Sequence, residues 1–416
     1  MVKILKTKIM RLLLIHPKFP YRGKDLFPIG LGVLASIAKK KAEVFVIDEN
    51  VQELNEGIIR EISPELVGIS ATTPSFPRAV EIIKLVKKAS DAKVFLGGVH
   101  VTFRPEEGLE YADLVIRGEG ELTLLDILDE KPLEEIKGIS FKKDGKIIHN
   151  EDRELIEDLD SLPFPAYELF PLEKYEIMSI ATSRGCPYSC IYCSASEFWK
   201  HRVRFRSPEN VFEELKLVKK LGFTKIRFMD SIFTLKKERV LRICELIKDM
   251  GFKWSCEIRA DLIDDEILKA MKEAGCFLVC IGVDSGSQKV LDACNRRIKV
   301  EDMKKAFMLA RKHGIKTRAY VTFGFPGETK ETVIETIRFL EEVKPDRILL
   351  SLATAYPGTK LEEGRFVKIH PNWIKKFHGH GFGGKLYLPE GMQRKEYTKL
   401  ADFMYREIKR ITKNID

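Results

Sequence analysis

The sequence predicts an α/β protein: an N-terminal doubly wound parallel sheet, then a partial (β/α)6 barrel, then a short C-terminal helical segment. Two observations predict this fold class. Short apolar runs, typical of buried strands, alternate with amphipathic helical patterns through most of the chain. The proline-rich stretch "LDSLPFPAYELFP" interrupts that alternation, so the pattern forms two blocks separated by a linker.

These blocks predict four segments. The first domain covers residues 1–130 and the connector covers 131–175, with a hairpin that turns at Asp144-Gly145. The second block covers residues 176–365, and a less regular C-terminal segment covers 366–416.

In the first block, the predicted strands are "RLLLIHP", "EVFVIDE", "PELVGIS", "AKVFLGG" and "DLVI". Ligands of such sheets bind at the carboxyl ends of the strands. Three of those ends, at 69–73, 97–100 and 117–121, carry glycines and hydroxyl side chains, which suit a ligand that approaches the backbone closely.

The "GLGVLA" segment imitates a dinucleotide fingerprint but does not predict one. About a dozen residues separate its glycines from the preceding strand, whereas the fingerprint needs them in the tight strand-to-helix turn. Gly30 and Gly32 are better explained by close helix packing.

The second block predicts six parallel strands: "IMSIATS", "KIRFMD", "KWSCEIRA", "CFLVCIGVD", "KTRAYVTFG" and "RILLSLATA". Helical patterns follow the first five, which is the order of a partial barrel. Chemistry in such barrels collects at the carboxyl ends of the strands.

Bulk composition excludes several classes of protein. No apolar run approaches the ~20 residues of a membrane span, and the N-terminus lacks the pattern of a signal peptide, so we expect a cytoplasmic protein. The formal net charge of +9 is dispersed along the chain rather than gathered on a basic, aromatic-laced face, which argues against a nucleic-acid partner.

The eight cysteines do not form a disulfide framework. Cys186, Cys190 and Cys193 lie in a C-x3-C-x2-C motif just after the first barrel strand. The other five occupy apolar patterns and are expected to be buried structural thiols; they are Cys244, Cys256, Cys276, Cys280 and Cys294.

Three clustered thiolates suit an iron–sulfur cluster better than zinc. A structural zinc site needs four protein ligands, and His201 is the nearest further candidate. A cubane cluster takes one thiolate per iron, so three cysteines leave one iron open for a small molecule that carries an amine and a carboxylate.

These residues resemble the radical S-adenosylmethionine (SAM) superfamily, in which the residue before the third cysteine is aromatic, as Tyr192 is here. Later strand ends are also similar to that family: "FMDSIFT", "CEIRAD", "IGVDSGSQKVL", "FGFPGET" and "YPGTKL". "PIGLGVLA", "LGGVHVT" and "RGEGE" resemble the cobalamin-binding domain of one branch. The resemblance covers roughly residues 10–365.

The resemblance implies a cobalamin-binding-like Rossmann fold followed by a radical SAM barrel. It implies three cofactors, a [4Fe-4S] cluster, SAM and probable cobalamin, and assigns residues to each. The cluster ligands are Cys186, Cys190 and Cys193; the SAM residues are Tyr192, Asp230, Ser231, Arg259, Asp284, Ser285, Gly324 and Gly327; the cobalamin residues are Ser70, Thr72, Gly97, Gly98, His100, Gly118, Glu119 and Gly120.

The chain departs from the family at four places. Nothing between His16 and Pro28 matches the Asp-x-His-x-x-Gly loop that ligates cobalt in many cobalamin domains. The second-strand acidic pair is Asp230-Ser231, so one carboxylate is missing. Asp284 replaces the usual glutamate, and Arg296 replaces a frequent lysine, with a different hydrogen-bond geometry.

The resemblance also implies the reaction. The cluster passes an electron from a ferredoxin- or flavodoxin-type donor to SAM, and the resulting 5′-deoxyadenosyl radical abstracts hydrogen from an unactivated carbon. Methylation of that carbon through cobalamin is the expected outcome, on a small-molecule or lipid-like substrate. Two alternatives stay open: rearrangement, cyclisation or other C–H functionalisation without methyl transfer, and a cobalamin or iron–sulfur sensor without turnover.

Overall fold

The computed structural model describes residues 9–20, 26–379 and 384–413. The chain divides into two compact units, residues 1–176 and 177–416. In those described ranges, no helix has both the length and the apolar content that a membrane span requires.

The first unit alternates strands and helices as the sequence predicts. Its strands are β1 (Arg11–His16), β2 (Glu43–Asp48), β3 (Leu66–Ser70), β4 (Lys93–Gly97), β5 (Leu114–Ile116), β6 (Ile139–Lys143) and β7 (Lys146–His149). Its helices are α1 (Ile29–Ala38), α2 (Glu56–Ile62), α3 (Phe76–Ala89), α4 (Val99–Phe103), α5 (Pro105–Leu109) and α6 (Glu121–Leu128). Single 3₁₀ turns cover Leu133–Glu135, Leu159–Ser161, Tyr167–Leu169 and Leu172–Lys174.

The seven strands form one sheet in the order β2-β1-β3-β4-β5-β6-β7. Strands β1 to β5 are parallel, and the strand order reverses between β1 and β3, where ligands of such sheets bind. Buried aliphatic side chains such as Leu13, Val67 and Leu96 fill the core beneath the helices. The predicted parallel sheet is therefore confirmed.

The connector contributes the last two strands of this sheet. Strands β6 and β7 pair antiparallel, and the turn residues Asp144 and Gly145 have φ of 50° and 74°. Positive φ at both central residues is the conformation that tight hairpins require, so the predicted hairpin is confirmed. Strand β7 forms the edge of the sheet and carries Lys146 among exposed residues.

A buried carboxylate holds the end of the connector against β1 and β2. Tyr175 Oη donates to Asp48 Oδ2 at 2.9 Å, and His16 Nδ1 lies 3.1 Å from Asp48 Oδ1. Burial alone would raise the pKa of Asp48, but the hydrogen bonds with His16 and Asn50 outweigh it and lower that pKa. The local hydrogen bonds of His16 are those usual for a histidine at a strand end.

The second unit contains the remaining elements. Its strands are β8 (Met178–Ile180), β9 (Ser183–Gly185), β10 (Val203–Phe205), β11 (Lys225–Phe228), β12 (Lys253–Ile258), β13 (Cys276–Asp284), β14 (Lys316–Phe323), β15 (Arg347–Leu352), β16 (Thr354–Ala355), β17 (Phe366–Val367) and β18 (Lys385–Tyr387). Its helices are α7 (Ser194–Phe198), α8 (Pro208–Lys220), α9 (Lys237–Ile247), α10 (Asp265–Glu273), α11 (Gln288–Ala293), α12 (Val300–Lys312), α13 (Lys330–Val343), α14 (Pro371–Ile374) and α15 (Arg394–Lys413). Short 3₁₀ turns cover Phe233–Leu235, Lys248–Met250, Ala260–Leu262 and Lys360–Glu363.

Six parallel strands form the main sheet of this unit, in the order β15-β14-β13-β12-β11-β8. Neighbours in the sheet are therefore successive barrel strands in the chain, as a partial barrel requires. Apolar residues on one face of the strands, such as Phe228, Trp254 and Val279, are fully buried. Polar side chains occupy the other face, which is the inner face of the barrel.

The C-terminal helix α15 packs on the carboxyl end of β14. The ring of Tyr397 on α15 lies 4.9 Å from that of Phe323 and fills the space beside Gly324, whose φ is 96°. Glu328 is buried nearby, where it accepts hydrogen bonds from Gly324 N–H at 3.2 Å and Thr332 Oγ1 at 2.8 Å. Burial raises the pKa of Glu328 to about 7, from an ordinary value of 4.5.

We expect Glu328→Gln to change the pH dependence of stability. Because the folded-state pKa of Glu328 is raised, its neutral carboxyl contributes fully to the free energy of unfolding below the unfolded pKa of 4.5. That contribution is lost as the pH rises through about 7. Glutamine stays neutral at every pH, so the free energy of unfolding of the variant should rise relative to that of the wild type by up to roughly 3 kcal/mol as the pH increases from 4.5 to 7. Urea unfolding at several pH values measures this.

The matched control is Glu335→Gln, at an exposed position of α13. Its unfolding free energy should follow that of the wild type at every pH. Parallel pH profiles for the wild type and Glu328→Gln would show that Glu328 is not the titrating group.

Candidate functional site

The cysteine loop begins where β8 ends, and a buried aspartate fixes its start. Asp230, just after β11, is 1% exposed and accepts hydrogen bonds from Thr182 N–H at 3.3 Å and Thr182 Oγ1 at 2.7 Å. Ser183 Oγ donates to the same carboxylate. Two adjacent strand ends are thereby joined at the first residues of the loop.

A short antiparallel ribbon then directs the chain toward the cysteines. Strand β9 pairs with β10, and Gly185 lies opposite Val203 in that ribbon. Gly185 has φ of 112°, and any Cβ there would collide with the carbonyl oxygen of Arg202. Glycine is therefore required immediately before Cys186.

Further hydrogen bonds attach the loop to the segment after α11. Ile191 N–H donates to the Cys294 carbonyl oxygen at 3.2 Å, and Asn295 Nδ2 donates to the Ser189 carbonyl oxygen at 2.9 Å. Cys193 is the residue that precedes α7. The loop is thus held at both of its ends and in its middle.

The three cysteines open onto a cavity of about 300 Å³ at the carboxyl ends of the barrel strands. It is lined by Cys186, Tyr188, Cys190, Tyr192, Cys193, Ala195, Ser196, Ser231, Ile232, Glu257, Ile258, Arg259, Cys280, Gly282, Asp284, Arg296 and Tyr320. The structure therefore brings four of the eight predicted SAM residues into one cavity with the thiols: Tyr192, Ser231, Arg259 and Asp284.

Tyr192 is held in the wall of this cavity by a charged pair. Its hydroxyl donates to Asp284 Oδ2 at 2.8 Å, and Arg296 Nε donates to the same oxygen at 2.7 Å. The Tyr192 ring lies 4.6 Å from the ring of Phe325. Asp284 sits at a β-bulge with φ of 61°, a geometry that turns its side chain toward the loop.

Arg259 places a buried guanidinium at the cavity. It is 1% exposed, pairs with Asp261 at 2.7 Å, and lies with Cζ 3.7 Å from the ring centre of Tyr188. Within the described residues its Nη1 is buried without a hydrogen-bond partner. Since a buried donor without a partner is costly, this atom fits a ligand that brings an acceptor such as a carboxylate.

The three thiols suit a cluster rather than one ion. In the described part of the chain, no three His, Cys, Asp or Glu side chains converge on a single ion position. A cubane binds each thiolate through a different iron, so its ligands need not meet at one point. His201, the candidate fourth zinc ligand, instead pairs with Glu197 at 3.2 Å and does not line the cavity.

The other four predicted SAM residues do not line the cavity. Asp230 is engaged with Thr182 and Ser183, as described, and Gly324 packs against Tyr397. Ser285 Oγ lies 3.0 Å from Thr336 Oγ1. Gly327 has φ of 81°, which a turn after β14 requires. The contacts of these four residues are with the fold itself.

Ten of the lining residues were missing from the sequence-based site, among them the polar or ionisable Tyr188, Glu257, Cys280 and Tyr320. Alternation along β12 carries a signal for Glu257, because Ser255 and Glu257 alternate with the apolar Trp254 and Cys256. All five cysteines outside the motif are buried, as predicted, yet Cys280 also faces the cavity.

In the first unit, predicted cobalamin residues meet at the carboxyl ends of β3, β4 and β5. Ser70 pairs with Gly97 in register, and Gly98 has φ of 100°. No atom lies within 4 Å of a Cβ built on Gly118, and none lies nearer than 3.9 Å at Gly97. This strip of partly exposed glycine backbone beside hydroxyl side chains fits a broad ligand that lies against the strand ends.

Three of the predicted cobalamin residues make contacts within their own unit. His100 Nδ1 lies 3.1 Å from Thr73 Oγ1, and its ring stacks near Phe76. Glu119 Oε2 accepts from Ile156 N–H at 2.8 Å. Gly120 precedes α6 and packs near Leu34. These contacts position the glycine strip.

Comparison with known proteins identifies two domains in this chain. The model of the radical SAM superfamily matches residues 180–340, and the model of the B12 binding domain matches residues 21–128. A radical SAM domain implies a [4Fe-4S] cluster and SAM, and a B12 binding domain implies cobalamin. These are the cofactors of this enzyme.

Two similar proteins match this chain over most of its length and of their own. A Pyrococcus horikoshii protein described as an uncharacterized methyltransferase is 35% identical over 396 residues, covering 88% of this chain and 86% of its own. The anaerobic magnesium-protoporphyrin IX monomethyl ester cyclase of Rubrivivax gelatinosus is 29% identical and covers 95% of this chain and 77% of its own.

Among solved structures, the fold is similar to that of the radical SAM methyltransferase TsrM from Kitasatospora setae, determined with cobalamin and a [4Fe-4S] cluster. The TM-score is 0.78 at 18% identity, covering 97% of this chain and 89% of that one. The two family models and the Pyrococcus horikoshii relative together show that this chain belongs to the radical SAM superfamily, in the group of its members that carry a B12 binding domain.

Proposed function

We propose that this enzyme is a cobalamin-dependent methyltransferase that methylates an unactivated carbon of a small-molecule substrate. The observation that carries the proposal is the cavity that joins the three thiols to Tyr192, Ser231, Arg259 and Asp284. The similarity to proteins named as methyltransferases supports it.

Residues of the cavity would hold the cluster and SAM. Cys186, Cys190 and Cys193 would ligate three irons. Arg259, whose Nη1 is buried without a described partner, would donate to the SAM carboxylate. Tyr192, fixed by Asp284, would form an aromatic wall beside the adenine. Ser231 would accept from the SAM ammonium.

The glycine strip of the first unit would hold cobalamin. Gly97 and Gly118 leave backbone open to a large planar ligand, and the hydroxyls of Ser70 and Thr72 would hydrogen-bond to its edge. When bound, these cofactors supply radical formation and a transferable methyl group, while the protein supplies position and excludes water.

Cyclisation or another C–H functionalisation is the second candidate reaction, favoured by similarity to the magnesium-protoporphyrin cyclase of Rubrivivax gelatinosus. A ferredoxin- or flavodoxin-type electron donor and a cytoplasmic location belong to either reaction. Methyl transfer is distinguished by S-adenosylhomocysteine among the products, because cyclisation consumes SAM only to give 5′-deoxyadenosine. A sensor would give neither product in repeated turnover.

The first test is anaerobic reconstitution with iron, sulfide and cobalamin, followed by SAM and a reductant, so that reduced cobalamin can accept the methyl group that leaves SAM. We expect 5′-deoxyadenosine and S-adenosylhomocysteine from the wild type. Cys190→Ala should lose both the visible absorbance of the cluster and the SAM cleavage, because it removes one of three iron ligands. Cys244→Ala, at a buried cysteine outside the cavity, should keep both. A wild type that forms neither product would refute the proposed function.

The second test concerns cobalamin loading. Gly97→Ala should reduce corrinoid binding, since its new Cβ would meet no protein atom nearer than 3.9 Å and would project into the space left for the ligand. Forcing an extra methyl group into a close contact costs about 1–3 kcal/mol, so we expect about a tenfold loss of affinity by absorbance titration. Gly145→Ala is the control, because its new Cβ also meets no atom within 4 Å but lies in the β6–β7 turn rather than at these strand ends. Equal loading of both variants would contradict the assignment.

A further inference from the structure

A second layer of polar side chains lies on the inner face of the barrel, deeper than Asp284. Glu257, Cys280 and Arg318 are register partners on three adjacent strands, β12, β13 and β14. Register partners on parallel neighbours point to the same side of a sheet. The intervening residues Val279 and Ala319 are fully buried on the opposite face.

The depth of this layer follows from strand geometry. Cys280 precedes Asp284 by four residues in β13, which corresponds to roughly 13 Å along the strand. Glu257 and Cys280 nevertheless line the same cavity as the three cluster cysteines. The cavity therefore extends from the strand ends, where the SAM residues lie, toward the interior of the barrel.

The positive charges of this layer exceed the negative ones. Arg227 pairs with Glu257 at 2.9 Å and donates from Nη2 to Tyr320 Oη at 3.2 Å. Arg318 has no ion pair among the described residues, and its Nη1 lies 4.0 Å from Cys280 Sγ. The Nε atoms of both arginines are buried without a described hydrogen-bond partner. Arg227 and Arg318 do not line the cavity themselves, but they contact its lining residues Glu257 and Cys280.

The arginines that do line the cavity do not correct this excess. Arg259 is paired with Asp261, and Arg296 with Asp284. The Cys280 thiol is no counter-ion at neutral pH, since burial raises its pKa above the ordinary value of 9.0. A partly buried guanidinium without a carboxylate carries an uncompensated desolvation cost, which a ligand anion would remove.

We propose that Arg318, with Arg227 and Tyr320, binds an anionic group of the substrate, a carboxylate or a phosphoryl group, inside the barrel. A guanidinium donates two parallel hydrogen bonds to either group, and the Tyr320 hydroxyl supplies a further donor. The inference rests on the proposed function only in naming this anion as part of the substrate. It orients the substrate with its charged end inside the barrel and its opposite end toward the cluster.

The test is calorimetric titration of the cluster-reconstituted full chain with inorganic phosphate and, separately, with acetate. Ionic strength is held constant with chloride, and S-adenosylhomocysteine is present at saturation. We expect one site per chain, and about a tenfold or greater loss of affinity in Arg318→Gln. Tighter binding of phosphate would indicate a phosphoryl group on the substrate, and tighter binding of acetate would indicate a carboxylate. Arg338→Gln, at an exposed position of α13, should bind as the wild type does.

Two further variants keep the proposal testable if Arg318→Gln does not fold, as judged by its cluster absorbance. Arg318→Lys keeps the charge and should retain more affinity than any neutral variant, and Tyr320→Phe should lose a smaller part of the affinity. The proposal is overturned if the wild type binds neither anion. It is also overturned if Arg318→Gln binds with the affinity of the wild type, or if Arg318→Lys and Tyr320→Phe both do.

One other result would overturn the substrate assignment. If the wild type binds the anion when S-adenosylhomocysteine is omitted but not when it is present at saturation, Arg318 belongs to the site of the SAM carboxylate instead. A failure to bind the anion can be distinguished from a failure of the proposed function, because SAM cleavage is measured independently. An enzyme that cleaves SAM but binds no anion refutes only this inference, whereas one that binds the anion without cleaving SAM refutes only the function.

Discussion

The hydrogen bonds that Asp230 accepts from Thr182 and Ser183 are the contacts on which the site depends. They join the carboxyl end of β11 to that of β8, at the point where the chain leaves the sheet for the cysteine loop. A carboxylate with 1% exposure keeps these bonds out of competition with water. On a loop without such contacts, the distances between the thiols would not be fixed. Here the loop starts from two strand ends that are joined to each other.

The barrel interior is organised in layers because side chains on one face recur at every second residue of a strand. In the upper layer each guanidinium is matched, Arg296 by Asp284 and Arg259 by Asp261. In the lower layer Glu257 pairs with Arg227, and Arg318 has no carboxylate partner among the described residues. A division of this kind separates a cofactor layer, which is electrically balanced, from a layer that still attracts an anion.

The sequence was sufficient for features that depend on local pattern. Strand β13 was predicted over its full length, Cys276–Asp284, because its apolar run is long and uninterrupted. Ribbon β9–β10 was missed, since three-residue strands containing Gly185 carry no periodic signal. The engagement of Asp230 with Thr182 also could not be predicted, because it joins residues 48 positions apart on different strands.

Candidate site residues show the same limit. The cysteine spacing and Tyr192 are local motifs, and the structure places them together. The environment of Cys280 depends on which face of β13 lies toward the barrel interior, and on its neighbours Glu257 of β12 and Arg318 of β14. Burial of that cysteine was predictable from its apolar surroundings, whereas its exposure to the cavity required the register of the whole sheet.

The hairpin β6–β7 determines how the first sheet ends. An open parallel sheet would present a row of unpaired backbone groups to any extended chain. Here the last strand is short, begins at Lys146, and is preceded by the exposed Lys142 and Lys143. Neighbouring ammonium groups repel a second copy of the same strand, so this edge discourages the stacking of sheets from separate molecules. The connector thereby keeps an extended β-structure from acting as a template for aggregation.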